Sequence, residues 1–450
     1  MRWGVVVVVA AVIPGICSSS ALANGAAETY GHDVRSQGKG NAVVADDSGP
    51  AAAFVNPAAL ARLKSPALHV GFSLAVPTVA VVLDTPLGVD DPLVPANPAP
   101  VAGITVGLAG PLALVVDDRV YLGLTAYFPS VALVRGRSYD PARPSFYLYD
   151  SYTEHFEVFG AVAFRVTDWA SLGIGTRVGA GQGGDMTLVL DPVRGRFTRQ
   201  ELDTSQFSVL SPLAGLLLGP LGVSNLKGRI ALVVRDRSSF DVTLPASLTI
   251  SGIDVGLVLD VVTLSNFSPR TWTTGVTLEI FQAVNVSVDV QYAQWSEAPS
   301  PFLRVSNNIS GAGLERLGFS DALDAPAAGQ QRVLSPGFVD TINVRTGFEA
   351  SLFKGLLLLR AGYGHRPTPV PDQTSGSNIV DNSVHVVSVG GGVVFGLPLV
   401  AAQQFQINGS YQAQILEPRE TAKASSRDEV GGWTSSGVVS NVGIDLRYLW

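Results

Sequence analysis

Five histidines are the first residues to consider, because an imidazole can act as a base, a nucleophile or a metal ligand. They are His32, His69, His155, His365 and His385. None lies in a local catalytic motif, although a hydrolytic Ser-His pair could still assemble from distant residues. No two histidines or carboxylates show a metal-ligand spacing with an obvious second partner. The sequence therefore predicts no catalytic residue, no metal site and no cofactor, and a lipid hydrolase or deacylase remains an alternative.

Arg177 and Arg360 are candidates for binding an anionic group. Both side chains project to the inner face on the strand register given below, where they could meet a ligand carboxylate or pair with Asp or Glu. Leu356 and Leu358 share the register of Arg360 and could line an apolar ligand pocket, unless a bulge turns them outward. These interpretations depend on the strands that position the side chains.

Alternation of polar and apolar residues predicts those strands. Asn285, Ser287, Asp289 and Gln291 alternate with Val286, Val288, Val290 and Tyr292, and the polar set from Gln404 to Gln414 alternates with Phe405, Ile407, Gly409, Tyr411, Ala413 and Ile415. This period of two excludes a helix, which needs 3.6. It fits a soluble sandwich or a membrane barrel, whose strands face lipid on one side and the lumen on the other.

Residues 1–23 have the pattern of a secretory signal peptide. Arg2 precedes an apolar run from Val5 to Ile13, and Ala21-Leu22-Ala23 predicts cleavage after Ala23. A lipoprotein anchor on Cys17 is the alternative, but Ile16 stands where that processing requires a small residue. Since Cys17 is the only cysteine, the mature chain would have no disulfide.

Composition narrows the class of protein further. Hydrophobic residues make up 46% of the chain, yet no apolar stretch after the signal approaches the 18 or more residues of a membrane helix. The net charge is -7 without a basic run, so no nucleic-acid partner is expected.

The end of the sequence favours a barrel over a sandwich. Ile444, Leu446, Tyr448 and Trp450 share one face of a predicted strand, opposite Asp445 and Arg447. Such a strand would be an aggregation-prone edge in a soluble protein, whereas a closed barrel pairs it with the first strand. The residues Gly443, Leu446, Tyr448 and Trp450 resemble the C-terminal assembly signal of outer-membrane barrels, which implies the barrel assembly machinery as a partner.

The predicted fold is an all-β transmembrane antiparallel barrel of about fourteen strands with a small helical plug. The candidate strands are 68–83, 101–114, 119–134, 153–167, 169–181, 204–217, 227–237, 246–262, 270–281, 284–295, 339–352, 355–365, 383–396, 400–416 and 435–450. This set has one segment too many for an even barrel, and 204–217 is the least regular. Short turns at Thr167-Asp168 and Asp117-Asp118, against long connections at 135–152, 182–203, 296–338 and 366–382, predict a periplasmic and an extracellular rim.

A short helix is predicted before the first strand. Asn56 suits a helix N-cap and Pro57 the first helical position, with Ala58 continuing the turn. By itself this Asn-Pro-Ala triplet predicts only a well-capped helix. It follows Gly38-Lys39-Gly40-Asn41-Ala42 and the acidic turn Ala45-Asp46-Asp47-Ser48.

These residues together resemble the N-terminal hatch of the FadL/TodX family of outer-membrane transporters, in which a Gly-x-Gly-x-Ala segment, an acidic turn and an Asn-Pro-Ala triplet occur in this order. The hatch motif is then Gly38, Gly40, Asp46, Asn56, Pro57 and Ala58. The resemblance extends to 158–178, to 272–296 and to Arg360-Ala361-Gly362-Tyr363 with its proline-containing loop. It implies a signal peptide at 1–23, a hatch at 24–66 and a barrel at 67–450.

The resemblance also implies a function. Members of the family are monomers of the bacterial outer membrane, surrounded by lipid and lipopolysaccharide, that take up fatty acids or other hydrophobic compounds by passive diffusion. Their hatch shifts and the ligand leaves through a lateral gap where the third strand kinks. Here Phe128, Pro129 and Ser130 are the expected gap, since proline cannot donate a ladder hydrogen bond, unless Pro129 already belongs to an outer loop. A general porin or a structural barrel is the alternative.

Overall fold

The alternating segments form strands that close into a barrel in the computed structural model. The structure describes residues 26–46, 49–84, 98–112, 119–131, 139–149, 155–191, 196–250, 255–302, 304–310, 334–396, 404–425, 428 and 430–450. The expected signal peptide with Cys17 and the turn Asp117-Asp118 lie outside these residues.

The described strands, in chain order, are β1 (Ala67–Leu83), β2 (Val101–Pro111), β3 (Val120–Pro129), β4 (Ser145–Phe146), β5 (Glu157–Thr167), β6 (Ala170–Asp191), β7 (Arg196–Val223), β8 (Leu226–Arg235), β9 (Ser238–Ile250), β10 (Val255–Ser268), β11 (Arg270–Ile280), β12 (Val284–Gln294), β13 (Arg304–Ser310), β14 (Thr341–Leu352), β15 (Leu357–Arg366), β16 (Ile379–Val380), β17 (Val384–Gly396), β18 (Gln404–Thr421) and β19 (Trp433–Leu449).

Fourteen of these strands pair antiparallel in a ring, which confirms the predicted barrel. The ring runs β1, β2, β3, β5, β6, β7, β8, β11, β12, β14, β15, β17, β18 and β19. It closes where β19 pairs with β1, in continuous register from Ala67 opposite Leu449 to Leu83 opposite Trp433. The closed ring leaves no strand edge within the bilayer.

The outer face of the barrel is apolar and its inner face is polar. Phe72, Leu124 and Ile444 point outward and are 43%, 50% and 58% exposed, whereas Ser287 and Asp289 point inward and are buried. Apolar side chains over a whole barrel surface would be unfavourable in water but suit a lipid environment. The barrel is thus built to span an outer membrane.

Among the described residues, no helix is both long enough and apolar enough to cross a membrane.

One of the fifteen predicted segments is not a barrel strand. Segment 246–262 spans β9 and β10, a hairpin that pairs with β13 and, in parallel, with β6, outside the ring. The least regular segment, 204–217, lies within β7 and is a true barrel strand. The predicted loop 182–203 was also wrong, because β6 and β7 continue through it in paired register to Asp191 and Arg196.

Short and long connections lie at opposite rims. The predicted turn after Thr167 is confirmed, since β6 begins at Ala170. The ends of β1 and β19 that carry Ala67 and Leu449 lie at the same rim, which the rule for bacterial barrels makes periplasmic. The opposite rim carries the longer connections, in which β4 and β16 pair.

Residues 26–66 precede β1 and pack inside the ring; we call them the hatch. They contain the helices α1 (Ala26–Tyr30), α2 (Val34–Gly38) and α3 (Ala52–Val55), followed by the 3-10 helix Pro57–Arg62. Asp33 caps α2 by accepting a hydrogen bond from the Ser36 amide at 2.8 Å. Ala45, Ala52, Ala53, Ala58 and Ala59 are fully buried, in a core that also contains inward side chains of the barrel such as Phe159 and Leu217.

Candidate functional site

The Asn-Pro-Ala triplet fastens two parts of the hatch to each other. Asn56 is buried, and its Oδ1 accepts from the Ala58 amide at 3.0 Å as the N-cap of the 3-10 helix. Its Nδ2 donates to the Val44 carbonyl at 2.9 Å. The side-chain amide of Asn56 therefore provides hydrogen-bond partners both for the first turn of the 3-10 helix and for the Val44 carbonyl. An alanine side chain could provide neither.

Glycines of the barrel allow this triplet to approach the wall. A Cβ on Gly173 of β6 would lie 2.3 Å from the Ala58 nitrogen, and one on Gly215 of β7 would lie 2.1 Å from Asn56 Oδ1. Real Cβ atoms do not come so close, so the backbones of the hatch and the barrel meet there only because both positions are glycine.

The Gly-x-Gly segment makes a second backbone contact with the opposite wall. A Cβ on Gly38 would lie 3.2 Å from the Gly390 Cα, and a Cβ on Gly362 would lie 2.2 Å from the Gly40 nitrogen. Gly40 also has a φ of +61°, which favours glycine. Gly38, Gly40, Gly362 and Gly390 thus allow the hatch to pack closely against β15 and β17.

Asp46 is the anionic centre of the hatch. Its carboxylate lies 2.6 Å from Arg35 Nη2, 2.5 Å from Lys39 Nζ and 3.4 Å from Arg229 Nη1 of β8. Burial alone would raise the pKa of Asp46, but the positive charges of Arg35 and Lys39 hold it below its ordinary value. The carboxyl group of Asp46 is therefore ionised. It links two parts of the hatch through Arg35 and Lys39, and it links the hatch to the barrel through Arg229. Asp47 and Ser48 lie outside the described residues.

Glu349 of β14 is the matching anion on the barrel side. It accepts from Arg35 Nε at 3.0 Å and Nη2 at 2.8 Å, a bidentate pair across the interface between the hatch and the barrel. Arg360 of β15 donates to the same carboxylate at 2.6 Å and to Asn408 at 2.8 Å. Arg360 is thus part of the buried network that holds the hatch.

Further polar contacts distribute the anchoring around the ring. Arg447 of β19 pairs with Asp33, and Arg177 of β6 pairs with Glu28 at 3.0 Å. His32 Nε2 lies 2.6 Å from Thr125 Oγ1 of β3. Burial, followed by the charge of His69, lowers the pKa of His32 to about 4, so its imidazole is neutral at pH 7.

The residues predicted to form a ligand pocket do not come together in one. Arg177 and Arg360 are engaged by carboxylates, as described above. Leu356 lies in the turn before β15 and is 51% exposed, while Leu358 is half-buried at the same end of the barrel. Lumen arginines in this chain fix the hatch, which follows from the cost of leaving a buried charge unpaired.

A cavity of about 130 Å³ lies between the hatch and the barrel wall instead. Its apolar lining includes Val43, Phe54 and Val55 of the hatch with Val233 and Trp295. The polar lining includes Gln291, Asn343 and Arg345, of which Gln291 Oε1 accepts from Asn343 at 3.1 Å and from Arg345 at 2.9 Å. The lining of the cavity is thus mixed, since it also contains Glu28, Arg235 and Arg366 beside the apolar side chains.

Trp295 connects this cavity to an aromatic cluster at the extracellular rim. Its ring centroid lies 6.0 Å from those of Phe267 and Phe338, and Phe338 lies 5.6 Å from Tyr147. Tyr147 in turn lies 5.6 Å from Tyr139. These packed, buried side chains therefore form an apolar path from the outer connections to the cavity. Periodicity could not reveal this path, since its residues other than Phe267 of β10 lie outside the strands.

The expected break near strand 3 falls at a strand end. Pro129 is the last residue of β3 and is still paired with Gly103 of β2, while pairing with β5 stops at Tyr127. Phe128 is 39% exposed on the outer face, and its ring lies 5.0 Å from Phe156. The Ser130 amide donates to the Ala102 carbonyl at 2.8 Å. The register of β3 with β2 runs without a shift up to Pro129.

The last strand has the predicted two faces. Leu446 and Trp450 are exposed on the outer surface, and the Tyr448 ring lies 4.5 Å from Trp450 and 4.9 Å from Phe405. Gly443 faces inward, where a Cβ would lie 2.5 Å from Gln37 Oε1 of the hatch. The glycine at this position thus has a packing reason in addition to its place in the predicted assembly signal.

Comparison with known proteins gives a structural likeness at low sequence identity. No protein-family model and no curated protein matches the sequence. A FadL homologue of Pseudomonas aeruginosa superposes with a TM-score of 0.57 at 14% identity, over 96% of this chain and 99% of that one. The toluene transporter TodX of Pseudomonas putida gives 0.55 at 12%, over 94% and 99%. The toluene transporter TbuX of Ralstonia pickettii gives 0.50 at 15%, over 92% and 97%.

These structures align with nearly the whole length of this chain. The ring closure, the internal hatch and the lipid-facing surface are observed in the structure of this chain itself. The chain therefore has the same fold as these structures, a closed antiparallel β-barrel.

Proposed function

We propose that the protein is a channel for the passive uptake of small hydrophobic molecules across the outer membrane. The observation that supports this most is the apolar path from the aromatic cluster at the rim through Trp295 to the cavity beside the hatch. Burying apolar groups of a ligand along such a path gains roughly 0.8 kcal/mol per methylene, which drives entry without an energy source.

The size of the cavity favours compact cargo. Its volume of about 130 Å³ is close to that of an engineered apolar cavity, roughly 150 Å³, that admits one benzene molecule. A monoaromatic compound fits this space with the hatch in place. A long acyl chain requires the hatch to move, and hatch movement is therefore part of the proposal for fatty-acid cargo.

Uptake of radiolabelled toluene and oleate by cells that lack their own transporter tests this proposal. Trp295→Ala should lower toluene uptake severalfold, because it interrupts the path at the cavity. Trp272→Ala is the matched control, since Trp272 is 47% exposed on the outer face of β11 and lies outside the path. Equal uptake by both variants, with both barrels folded, would contradict the proposal.

A general porin is the rival function, and a second measurement separates it. The hatch should keep the conductance for small polar solutes low, and deletion of residues 26–63 should raise it. A high conductance of the intact chain, unchanged by the deletion, would favour the porin.

For release we propose a lateral exit near the outer end of β3, where pairing with β5 stops at Tyr127. The cavity is lined by β8, β11, β12, β14, β15, β17 and β18, so a ligand must cross the lumen past the hatch to reach β3. The proposal therefore includes a shift of the hatch before release.

A reversible cross-link tests the lateral exit. A thiol-reactive, reducible linker between Phe128→Cys and Phe156→Cys should block uptake until it is reduced. The control pair is Val389→Cys with Tyr411→Cys, which face each other on β17 and β18. Uptake that continues through the linked β3 site would remove the lateral exit from the proposal.

A further inference from the structure

A cluster of two histidines and a carboxylate lies on the outer surface of the barrel. His365 of β15 and His385 of β17 are direct partners across the two strands, and Glu417 lies on the next strand, β18. One ligand atom from each of the three side chains falls within 4.8 Å of the others. The three residues are separated by 20 and 32 positions, so their sequence spacing does not indicate a site.

The donor atoms converge on one point. His385 Nε2 lies 2.9 Å and His365 Nε2 lies 3.3 Å from the same oxygen, Glu417 Oε1. Zinc bonds of about 2.0–2.2 Å in a tetrahedral arrangement place neighbouring ligand atoms roughly 3.3 Å apart. The present spacings therefore need only small adjustments to hold such an ion.

A neighbouring phenol orients one of the imidazoles. Tyr363 Oη lies 2.8 Å from His385 Nδ1, on the side of the ring away from Glu417. When His385 carries its proton on Nδ1, it donates to Tyr363, and the Nε2 lone pair is directed to the cluster. Metal-binding histidines typically have such a partner on the second nitrogen.

The carboxylate is positioned by an irregularity of its strand. The register of β18 with β19 shifts between Leu416 and Arg419, so that Glu417 and Pro418 occupy a bulge. The Glu417 amide donates to the Ser383 carbonyl at 2.9 Å, and its carbonyl accepts from Asn382 at 2.8 Å. A bulge redirects a side chain, and here the backbone on both sides of it is fixed.

The cluster is accessible at the border of the apolar surface. Below it, the outward positions of β17 are apolar, with Val387 and Val389 exposed to lipid. The side chains of His365, His385 and Glu417 are 38%, 42% and 43% exposed, so an ion can reach them from the extracellular side. Three protein ligands leave at least one coordination position open to water.

We propose that His365, His385 and Glu417 bind a divalent transition metal ion of the zinc class at the extracellular border of the lipid-facing surface. Two imidazoles with one carboxylate are a donor set suited to zinc. The ion joins three adjacent strands, β15, β17 and β18. The three side chains lie on the outward face of these strands, and the site does not depend on the uptake proposed above.

A zinc titration of the purified full chain in detergent tests the site. The protein carries no polyhistidine tag and is first stripped with a chelator, and Zn²⁺ is titrated against a chromogenic competitor. We expect one saturable equivalent. His385→Ala and Glu417→Gln should each lower the affinity by more than about 100-fold, and Tyr363→Phe by roughly 10- to 100-fold.

The matched control is Tyr411→Phe, which removes a phenol from the same outer face and should leave the affinity unchanged. Altered electrophoretic mobility on heating checks that every variant is a folded barrel. X-ray absorption at the zinc edge should show nitrogen and oxygen ligands at about 2.0–2.2 Å. If no zinc binds saturably, or if both His385→Ala and Glu417→Gln still bind one equivalent, the cluster is only an ion pair and the proposal is wrong.

Discussion

Asp46→Asn is the substitution that should release the hatch without altering the barrel strands. The carboxylate contacts Arg35, Lys39 and Arg229, but the loss affects these cations unequally. Arg35 keeps Glu349, and Arg229 keeps Glu279. Among the described contacts, Lys39 keeps only Ser287 Oγ at 3.3 Å, although its side chain is fully buried.

The cost follows from Lys39, which loses its direct carboxylate partner among the described contacts and keeps only the longer-range charges of Glu349 and Asp289. Breaking a buried ion pair by removing one partner costs about 3–5 kcal/mol. Because about 1.4 kcal/mol corresponds to a tenfold change in an equilibrium, the ratio of displaced to docked hatch should rise by roughly 100-fold to several thousand-fold.

Planar-bilayer conductance and limited proteolysis of the hatch measure that ratio. Asp46→Asn should raise both the open fraction and the rate of cleavage. The double variant Lys39→Met with Asp46→Asn removes both charges and should recover most of the docking, since replacing both partners is far less costly than replacing one. Asp168→Asn, in an exposed turn, is the control. Unchanged conductance and cleavage in Asp46→Asn would refute the assignment of Asp46 as an anchor.

Three further predictions concern the same interface. Gly362→Ala places a Cβ 2.2 Å from the Gly40 nitrogen. It should destabilise hatch docking by about 1–3 kcal/mol, which is measured as faster proteolysis of the hatch. Gly391→Ala should be tolerated, because its Cβ would have no heavy atom nearer than 3.6 Å. Asn56→Ala removes a cap and the partner of the Val44 carbonyl and should cost about 1–3 kcal/mol by the same assay. Burial lowers the pKa of His32 to about 4 from its ordinary 6.5. The contribution of His32 to docking is therefore complete above pH 6.5 and declines as the pH falls towards 4, by on the order of 3 kcal/mol. His32→Gln should flatten this part of a profile of conductance against pH.

The barrel could be predicted from sequence because its signal is local. Each strand exposes one face to lipid, so alternation identified all fourteen ring strands. The same signal produced the error at 246–262, because a hairpin outside the ring can also alternate. Segment 204–217 was irregular for another reason: Leu217 points inward and packs against the hatch, and Leu213 is buried as well, so that strand has apolar residues on both faces.

The candidate site was less predictable because its contacts join distant parts of the chain. Arg35 and Glu349 are 314 positions apart, and their pairing depends on ring closure and hatch insertion together. The hatch motif pointed to the right segment, since Asn56 and Gly40 have local conformational demands. No local feature of the sequence distinguishes Glu349 from any other inward carboxylate. The cavity cannot be predicted either, because it forms only where the hatch packs against the barrel.

The pairing of Asp33 with Arg447 has a consequence for the order of assembly. Arg447 lies on β19, the strand that completes the ring by joining β1. The hatch precedes every barrel strand in the chain, yet one of its anchors is supplied by the last. Final docking of the hatch must therefore follow the pairing of β19 with β1. In a barrel that failed to close, the incompletely docked hatch would be accessible to quality-control proteases.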